Sequence, residues 1–188
     1  RMRAPNHFPD YVERTLDIKE AAPDDFERIW AFFYPIASAG DTCAYPRDIS
    51  RREAERLWMR LPVKTFVAED KGEIAGAYYI KTNHAGPGNH VCNCGYMVTA
   101  KSRGKGVGTI MCRHSQKIAL ELGYKAMQFN FVATSNGLAV HLWTKLGFKI
   151  VGRLPKAFNH PEKGYIDALI MYKWLEDQSI YNSERGRS

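Results

Sequence analysis

A glycine-rich stretch, Arg103–Gly108, constrains the fold of this chain more than any other feature, because of the segments on either side of it. The preceding residues, 96–99, are apolar and strand-like, and the following residues repeat apolar side chains at helical spacing. A glycine-rich turn between a strand and a helix directs free backbone N–H groups and the positive end of the helix dipole at one point. The sequence therefore predicts a binding site for an anion, with phosphate as the favoured ligand.

The loop fits neither of two common phosphate-binding motifs. Thr109 follows Gly108, where a Walker loop has lysine and then serine or threonine, and no third glycine completes a GxGxxG pattern. Arg103, Gly106 and Gly108 instead match the pattern Arg/Gln-x-x-Gly-x-Gly/Ala. In this respect the stretch resembles the pyrophosphate loop of the GNAT family of acyl-CoA transferases.

A second motif of the same family lies one strand further along the chain. It reads Asn136-x-x-Ala139-x-x-x-Trp143-x-x-x-Gly147-Phe148. The first motif alone is also typical of an ordinary glycine-rich turn, and the second alone is also typical of a helix that ends at a glycine. The two motifs in this order favour the resemblance. The resemblance implies that acetyl-CoA is the cosubstrate, without a metal. The residues that it assigns to acetyl-CoA are Met97, Val98, Arg103, Gly104, Lys105, Gly106, Val107, Gly108, Asn136 and Trp143.

The predicted elements follow the order β-α-α-β-β-β-α-β-α-β-β, a mixed α/β pattern that matches the GNAT fold. The resemblance implies a seven-stranded, mostly antiparallel sheet with four helices, splayed between parallel strands four and five. The pantetheine arm of acetyl-CoA would enter that gap. We expect one domain over 15–175, after an N-terminal segment over 1–14 that is disordered or left from cloning, since Arg1 precedes Met2. A polar tail covers 176–188.

Periodicity and breakers set the predicted bounds of these elements. Strands are predicted at 15–20, 65–69, 73–82, 90–99, 126–132, 148–152 and 166–173, and helices from Pro23, from the Ser50 capping box to about 60, at 106–122 and at 135–146. Pro35 is expected to end or kink the first helix. A long loop with Pro155, His160 and Pro161 is predicted between the last two strands.

Composition is typical of a globular protein, with 45% hydrophobic and 25% charged residues. No apolar run reaches the ~20 residues that cross a bilayer, so we expect a cytoplasmic protein without a membrane segment. The formal charge of +7 suits a phosphate-bearing ligand. Nucleic acid, which would contact Arg51, Arg52 and Arg56, is not favoured, because the basic residues form no stripe interleaved with aromatic residues.

The four cysteines are too few for a disulfide framework. The spacing of Cys92-x-Cys94 does not fit a zinc site, and strand alternation would place both thiols on one face of a strand. Buried free thiols are the favoured interpretation. A catalytic thiol at Cys92 or Cys94 is the alternative.

The acid and base that many GNAT enzymes use are both missing. Trp143 stands seven residues after Asn136, where many members have a tyrosine, and an indole N–H does not serve as a practical acid. The strand predicted at 90–99 has no carboxylate that could act as the base. Core packing is the favoured role for the Trp143 ring.

Asn93 and Asn130 lie within apolar strands, where an unsatisfied amide costs free energy. On adjacent strands they would form a polar site, although each could instead bond to backbone. The segments around them resemble a GNAT branch that includes the fungal azetidine-2-carboxylate N-acetyltransferases. The resemblance implies that both asparagines hold an amino-acid acceptor. We therefore predict that they are the catalytic residues and orient the acceptor amine, while water or a backbone carbonyl removes its proton.

Loop position assigns Tyr45, Phe158 and His160 to the acceptor pocket, and a core position is expected for His114. The predicted function is acetyl-CoA-dependent N-acetylation of a small-molecule amine, in the narrowest form a cyclic imino acid or another amino acid. One alternative is acetylation of charged tRNA or of a protein N-terminus. Another is a non-catalytic acyl-CoA-binding regulator. A homodimer is implied by the resemblance alone.

Overall fold

A seven-stranded sheet forms the centre of the computed structural model, which describes residues 15–175. Its strands are β1 (Asp17–Glu20), β2 (Lys64–Asp70), β3 (Glu73–Thr82), β4 (Val91–Val98), β5 (Ala126–Ala133), β6 (Lys149–His160) and β7 (Gly164–Trp174). They lie in the order β1-β2-β3-β4-β5-β7-β6, and only the β4–β5 pair is parallel. The predicted mixed, mostly antiparallel sheet is confirmed. The predictions for 1–14 and 176–188 lie outside the described residues.

Four helices cover the two faces of this sheet. They are α1 (Asp25–Ala39), α2 (Arg51–Glu55), α3 (Val107–Glu121) and α4 (Gly137–Lys145), and a π-helical turn, Arg56–Arg60, continues α2. The predicted capping box is present, because the Ser50 hydroxyl accepts a hydrogen bond from the Glu53 backbone N–H at 3.2 Å. Within the described residues, no helix combines the length and the apolar character needed to cross a membrane.

Pro35 does not end the first helix, because α1 continues to Ala39, and the alternative of a kink at Pro35 stays a prediction. The buried side chains of α1 include Phe33 before the proline and Ala37 after it. Packing on both sides therefore outweighs the one backbone hydrogen bond that the proline removes. Gly40, in the left-handed region at φ 65°, ends the helix instead.

Successive side chains of each strand point to opposite faces of the sheet, so the protein has two hydrophobic cores, one on each face. α3 and α4 pack on one face of the sheet, around residues such as Met111 and Phe129, and α1 and the π-helical turn pack on the other, around Phe33 and Trp58. Cys92 and Cys94 of β4 belong to the α3/α4 core, as alternation predicted. All four cysteines are free thiols. Asn93, between Cys92 and Cys94, therefore faces the side of the sheet that carries α1 and α2.

The parallel pairing of β4 with β5 lasts for only three residues on each strand and ends at Asn93 opposite Gln128. Beyond that point β4 pairs with β3 as far as Val98, and β5 pairs with β7 as far as Ala133. A gap therefore opens between the two strands, which confirms the predicted splay. The chain leaves the diverging ends toward the N-termini of α3 and α4.

The long loop predicted between the last two strands is wrong. β6 extends to His160 and β7 begins at Gly164, so only a short turn joins them. Pro155 falls where the β6–β7 register shifts between Leu154 and Phe158, and Lys156 adopts a φ of 52° there. The Asp167 carboxylate accepts the Lys156 backbone N–H at 2.9 Å and also binds Arg153. A bulge therefore accommodates the proline without ending the strand.

Candidate active site

The glycine-rich loop forms an open helix N-terminus. Gly104 and Gly106 have φ values of 71° and 80°, in the left-handed region that favours glycine. Gly106 is the N-cap of α3, and no side chain caps the helix there. The first helical bond runs from the Ile110 N–H to the Gly106 carbonyl at 3.1 Å, so the earlier N–H groups are the unpaired donors of the first turn. This geometry fits an anion, as the sequence predicted.

Two cations of the loop are available to such an anion. Arg103 and Lys105 are exposed, and neither forms an ion pair with any residue in 15–175. The neighbouring Lys101 is bound to Glu73. The loop therefore combines backbone donors with two free positive charges, which suits a diphosphate.

The second half of α4 packs against the start of α3. A Cβ added at Gly108 would lie 3.2 Å from the Leu142 side chain, so glycine permits this approach. The Asn136 side-chain oxygen accepts the Ala139 N–H at 3.3 Å and thereby caps α4. Its side-chain NH₂ remains the group that could bind a ligand. Each of the two helices follows one of the diverging strands, α3 after β4 and α4 after β5.

Trp143 lies in the α3/α4 core. Its ring centroid is 5.0 Å from that of Tyr96 and 4.9 Å from that of Phe129. The side chain is only 8% exposed. These contacts agree with the packing role favoured from the sequence, and a contact with a cofactor stays a prediction.

Asn93 lies at the point where β4 and β5 part. Its side-chain NH₂ donates to the Gln128 backbone carbonyl at 2.9 Å, and the residue is 7% exposed. This bond fixes the orientation of the carboxamide. The Asn93 Oδ1 atom has one long contact, a 3.5 Å hydrogen bond from the Tyr79 hydroxyl. Because an amide oxygen accepts two hydrogen bonds, Oδ1 has the capacity to accept one from an amine.

A group of aromatic residues surrounds Asn93 on the α1/α2 side. The Tyr79 ring covers Gly95, where a Cβ would lie 2.5 Å from the ring. Tyr79 packs edge-on against Trp58, with ring centroids 5.2 Å apart, and Trp58 Nε1 donates to the Tyr45 hydroxyl at 3.0 Å. The structure therefore brings Tyr45, predicted for the acceptor pocket, into the same cluster as Asn93.

The two phenols of this cluster are neutral at pH 7. Burial raises the pKa of Tyr45 and of Tyr79 above the ordinary value. A phenol that keeps its proton can donate a hydrogen bond, but it does not act as a base at neutral pH. These tyrosines can therefore position an acceptor without removing its proton.

Asn130 is exposed, although the apolar strand pattern predicted a buried amide. The β5–β7 register shifts between Phe129 and Val132, and this bulge interrupts the alternation of side chains. The Asn130 NH₂ donates to the Asn83 side-chain oxygen at 2.8 Å, and its own oxygen accepts from Gln128 at 2.9 Å. Gln128, rather than Asn130, lies opposite Asn93. The amide site therefore includes Asn83 and Gln128, which the sequence did not indicate.

The other predicted acceptor residues lie on the last hairpin. His160 is buried, and its Nδ1 atom accepts the backbone N–H groups of Glu162 at 3.1 Å and Lys163 at 3.2 Å. The ring thereby holds the β6–β7 turn. Phe158 is also buried, with its ring centroid 6.1 Å from that of Phe131. No hydrogen bond among the described residues joins His160 to Asn93.

Other candidate chemical groups face away from this cluster. His114 Nδ1 is hydrogen-bonded to the Tyr78 hydroxyl at 2.7 Å, which agrees with the predicted structural role. Cys94 and Cys112 lie in the α3/α4 core, where burial raises the pKa of both thiols, that of Cys112 to about 11. This placement disfavours the catalytic thiol. In residues 15–175 no group of three or more His, Cys, Asp or Glu side chains could hold a metal ion.

A sheet splayed between two parallel strands, with an anion loop leading from the first of them into a helix, defines the class of GNAT-type N-acyltransferases. The sequence agrees: residues 24–148 match the model of the acetyltransferase (GNAT) family. The chain therefore belongs to this family. The curated "N-acetyltransferase aca1" of Schizosaccharomyces pombe is 33% identical over 145 residues, covering 67% of this chain and 69% of that protein. This fungal relative supports the predicted branch.

Solved structures of related proteins agree with the family assignment. A GCN5-related N-acetyltransferase from Kribbella flavida is 39% identical, with a TM-score of 0.81 over 85% of this chain and 98% of that one. A phosphinothricin acetyltransferase from Sinorhizobium meliloti, in complex with AcCoA, has a TM-score of 0.76 at 17% identity over 86% of this chain and 89% of that one. At 17% identity, the similarity to the phosphinothricin acetyltransferase shows the fold alone.

The two free cations of the loop provide a test of the anion site. Replacing Arg103 and Lys105 together with alanine should weaken CoA binding by about tenfold to a hundredfold, because each charge-assisted contact contributes on the order of 1 kcal/mol. Isothermal titration calorimetry at low and high salt would measure the loss, which should shrink as salt rises.

The matched control for this test removes two charges from α3, the helix that follows the loop. Arg113 and Lys117 are exposed on α3 beyond its first turn, and their double alanine variant should bind CoA like the wild type. Equal affinities for the loop variant and this control would contradict the assignment of the anion site.

Proposed function

We propose that the chain transfers the acetyl group of acetyl-CoA to the amine of a small molecule, by direct attack within a ternary complex. The carrying observation is the gap between β4 and β5, which begins at Asn93. An open anion loop lies where β4 leads into α3, and a polar cluster of amides and phenols lies on the α1/α2 face. The anion loop suits the phosphates of acetyl-CoA, and the polar cluster suits an acceptor amine.

The chain's own groups fit acetyl-CoA. The phosphates would take the free N–H groups and cations of Arg103–Gly108. β4 beyond Asn93 has a strand partner on one side only within the described residues, so backbone groups of Met97 and Val98 can pair with an extended pantetheine arm. The Asn136 NH₂ is available to the same arm. The thioester would then lie in the gap beside Asn93.

The acceptor would be positioned rather than chemically activated. Asn93 Oδ1 can accept a hydrogen bond from the amine, and Asn130, bound to Gln128 and Asn83, would complete the amide site. The amine nitrogen bonds to the acetyl carbon as the carbon–sulfur bond breaks, and CoA leaves as its thiolate. Water or a backbone carbonyl takes the proton of the amine, and the thiolate is protonated from solvent. Alignment of two bound reactants contributes up to about 7–11 kcal/mol without a dedicated base.

Ion pairs weigh against charged tRNA as the acceptor. Arg51 is paired with Glu27 and Glu55, and Arg56 with Glu53. Much of the positive charge at this helix is thereby neutralised, which leaves a poor surface for phosphates. The alternative of a non-catalytic regulator differs from the proposal in its lack of turnover, and the assay below separates the two.

The Asn93→Ala variant tests the acceptor site. Loss of the orienting carboxamide should lower kcat at least a hundredfold, about 2.7 kcal/mol in the barrier, with CoA affinity nearly unchanged. Thiol release from acetyl-CoA would be measured with azetidine-2-carboxylate, hydroxyproline, other amino acids, polyamines, short peptides and charged tRNA as acceptors.

Asn89→Ala, in the exposed turn before β4, is the matched control and should keep wild-type turnover. Thermal melts of both variants show whether the splay stays folded. Wild-type turnover in Asn93→Ala would sink the proposed role of this residue. If no amine in the panel causes thiol release from acetyl-CoA, the proposed activity is contradicted.

The pH dependence tests the absence of an enzymatic base. β4 and β5 contain no Asp or Glu, and the Tyr45 and Tyr79 phenols remain protonated because their pKa values are raised. Only the neutral amine attacks, so kcat/KM should rise with pH until it reaches the pKa of the acceptor's own ammonium group. Two acceptors of different amine pKa should give two different midpoints. One midpoint shared by both acceptors would instead indicate a base that belongs to the enzyme.

A further inference from the structure

Lys81 is a cation at the edge of the acceptor site. It lies on β3 directly opposite Asn93 of β4, so both side chains project from the same face of the sheet. Its Nζ atom is 5.3 Å from the centre of the Tyr79 ring, the ring whose hydroxyl contacts Asn93. The residue is half-buried, and within residues 15–175 it forms no ion pair.

The amides and phenols described above at this place, all within residues 15–175, are neutral. Asn93, Gln128 and Asn130 are amides, and the phenols of Tyr45 and Tyr79 keep their protons. A partly desolvated ammonium group among neutral neighbours is stabilised by an anion. The site therefore offers electrostatic attraction to a negatively charged substituent of the acceptor.

Asn83 supplies a second donor immediately after β3, which ends at Thr82. Its backbone N–H donates to the Val91 carbonyl at 2.9 Å, so the residue continues the pairing with β4. Its side-chain oxygen accepts the bond from Asn130, whereas its side-chain nitrogen is buried without a hydrogen-bond partner among the described residues. Buried donors without partners are rare, and a ligand oxygen would satisfy this one.

We propose that Lys81 binds the carboxylate of the acceptor. It would thereby select, among small-molecule amines, the amino or imino acids that the resemblance implies, with the amine on the carbon next to the carboxylate. Directly opposed residues on paired strands have Cβ atoms about 4.5–5.5 Å apart. That spacing suits one small molecule whose amine meets Asn93 Oδ1 while its carboxylate meets Lys81 Nζ. Asn83 can donate to the second carboxylate oxygen. The inference rests on the proposed acetyl transfer and specifies the class of its acceptor.

The test compares an acid with its ester. Azetidine-2-carboxylate and glycine are each assayed beside their methyl esters, which keep the amine and lose the negative charge. Because esterification lowers the pKa of the amine, each kcat/KM is divided by the fraction of the acceptor whose amine is neutral at the assay pH. On that basis the wild type should favour each acid by about tenfold or more. Lys81→Met should lose that preference by lowering kcat/KM for the acids alone, and Lys81→Arg should keep most of it. Lys117→Met, which removes an exposed charge on α3, is the control and should behave like the wild type.

Two results would overturn the inference while acetyl transfer stands: equal kcat/KM values for acids and esters in the wild type after correction for the neutral amine, or an unchanged preference in Lys81→Met. Calorimetry gives a second readout that needs no turnover. CoA-loaded protein should bind N-acetylglycine about tenfold more tightly than its methyl ester, and Lys81→Met should abolish the difference. If no amine is acetylated, the proposed activity fails, and equal binding of the two probes would then remove the carboxylate site as well.

Discussion

The last contact between β4 and β5, where the Asn93 side chain binds the Gln128 carbonyl, is the constraint on which the rest of the structure depends. Parallel pairing ends at this residue pair, and each strand continues with a different partner. A side chain therefore takes the place of the next ladder bond. This substitution keeps the gap open without leaving the Gln128 carbonyl unpaired at its base.

The gap divides the molecule into two chemically different faces. On the α3/α4 side, Tyr96, Phe129 and Trp143 form an apolar core with the buried thiols. On the α1/α2 side, Tyr45 and Tyr79 bring phenols to Asn93. Packing thus buries the cysteine thiols in the α3/α4 core. On the α1/α2 face it leaves amides and neutral phenols beside the gap. Such a site favours chemistry by alignment over chemistry by proton transfer.

Local patterns in the sequence predicted the fold well, because each depends on a few neighbouring residues. The glycines of Arg103–Gly108 and the helical spacing after them correctly predicted the start of α3. The sequence pattern gave wrong predictions at two positions where a β-bulge interrupts a strand. Pro155 is typical of a loop, yet the Asp167–Lys156 hydrogen bond keeps it within β6, and a second bulge in β5 exposes Asn130.

The acceptor side was less predictable, because sheet pairing assembles it from distant parts of the chain. Lys81 and Asn83 are ordinary polar residues at the end of a strand, and only the antiparallel register with β4 brings Lys81 opposite Asn93. Tyr45 reaches the same cluster through Trp58. No spacing in the sequence encodes these contacts, whereas the two family motifs are each contained in one short segment.

The most direct test of the account is a crystal structure of the protein with CoA and an N-acetylated amino acid. The account predicts phosphates on the N–H groups of Arg103–Gly108, the pantetheine arm paired with β4 beyond Asn93, and its sulfur end at the mouth of the gap. The amide nitrogen of the product should lie within hydrogen-bond distance of Asn93 Oδ1. A pantetheine arm bound outside the gap, or β4 and β5 paired beyond Gln128, would contradict it.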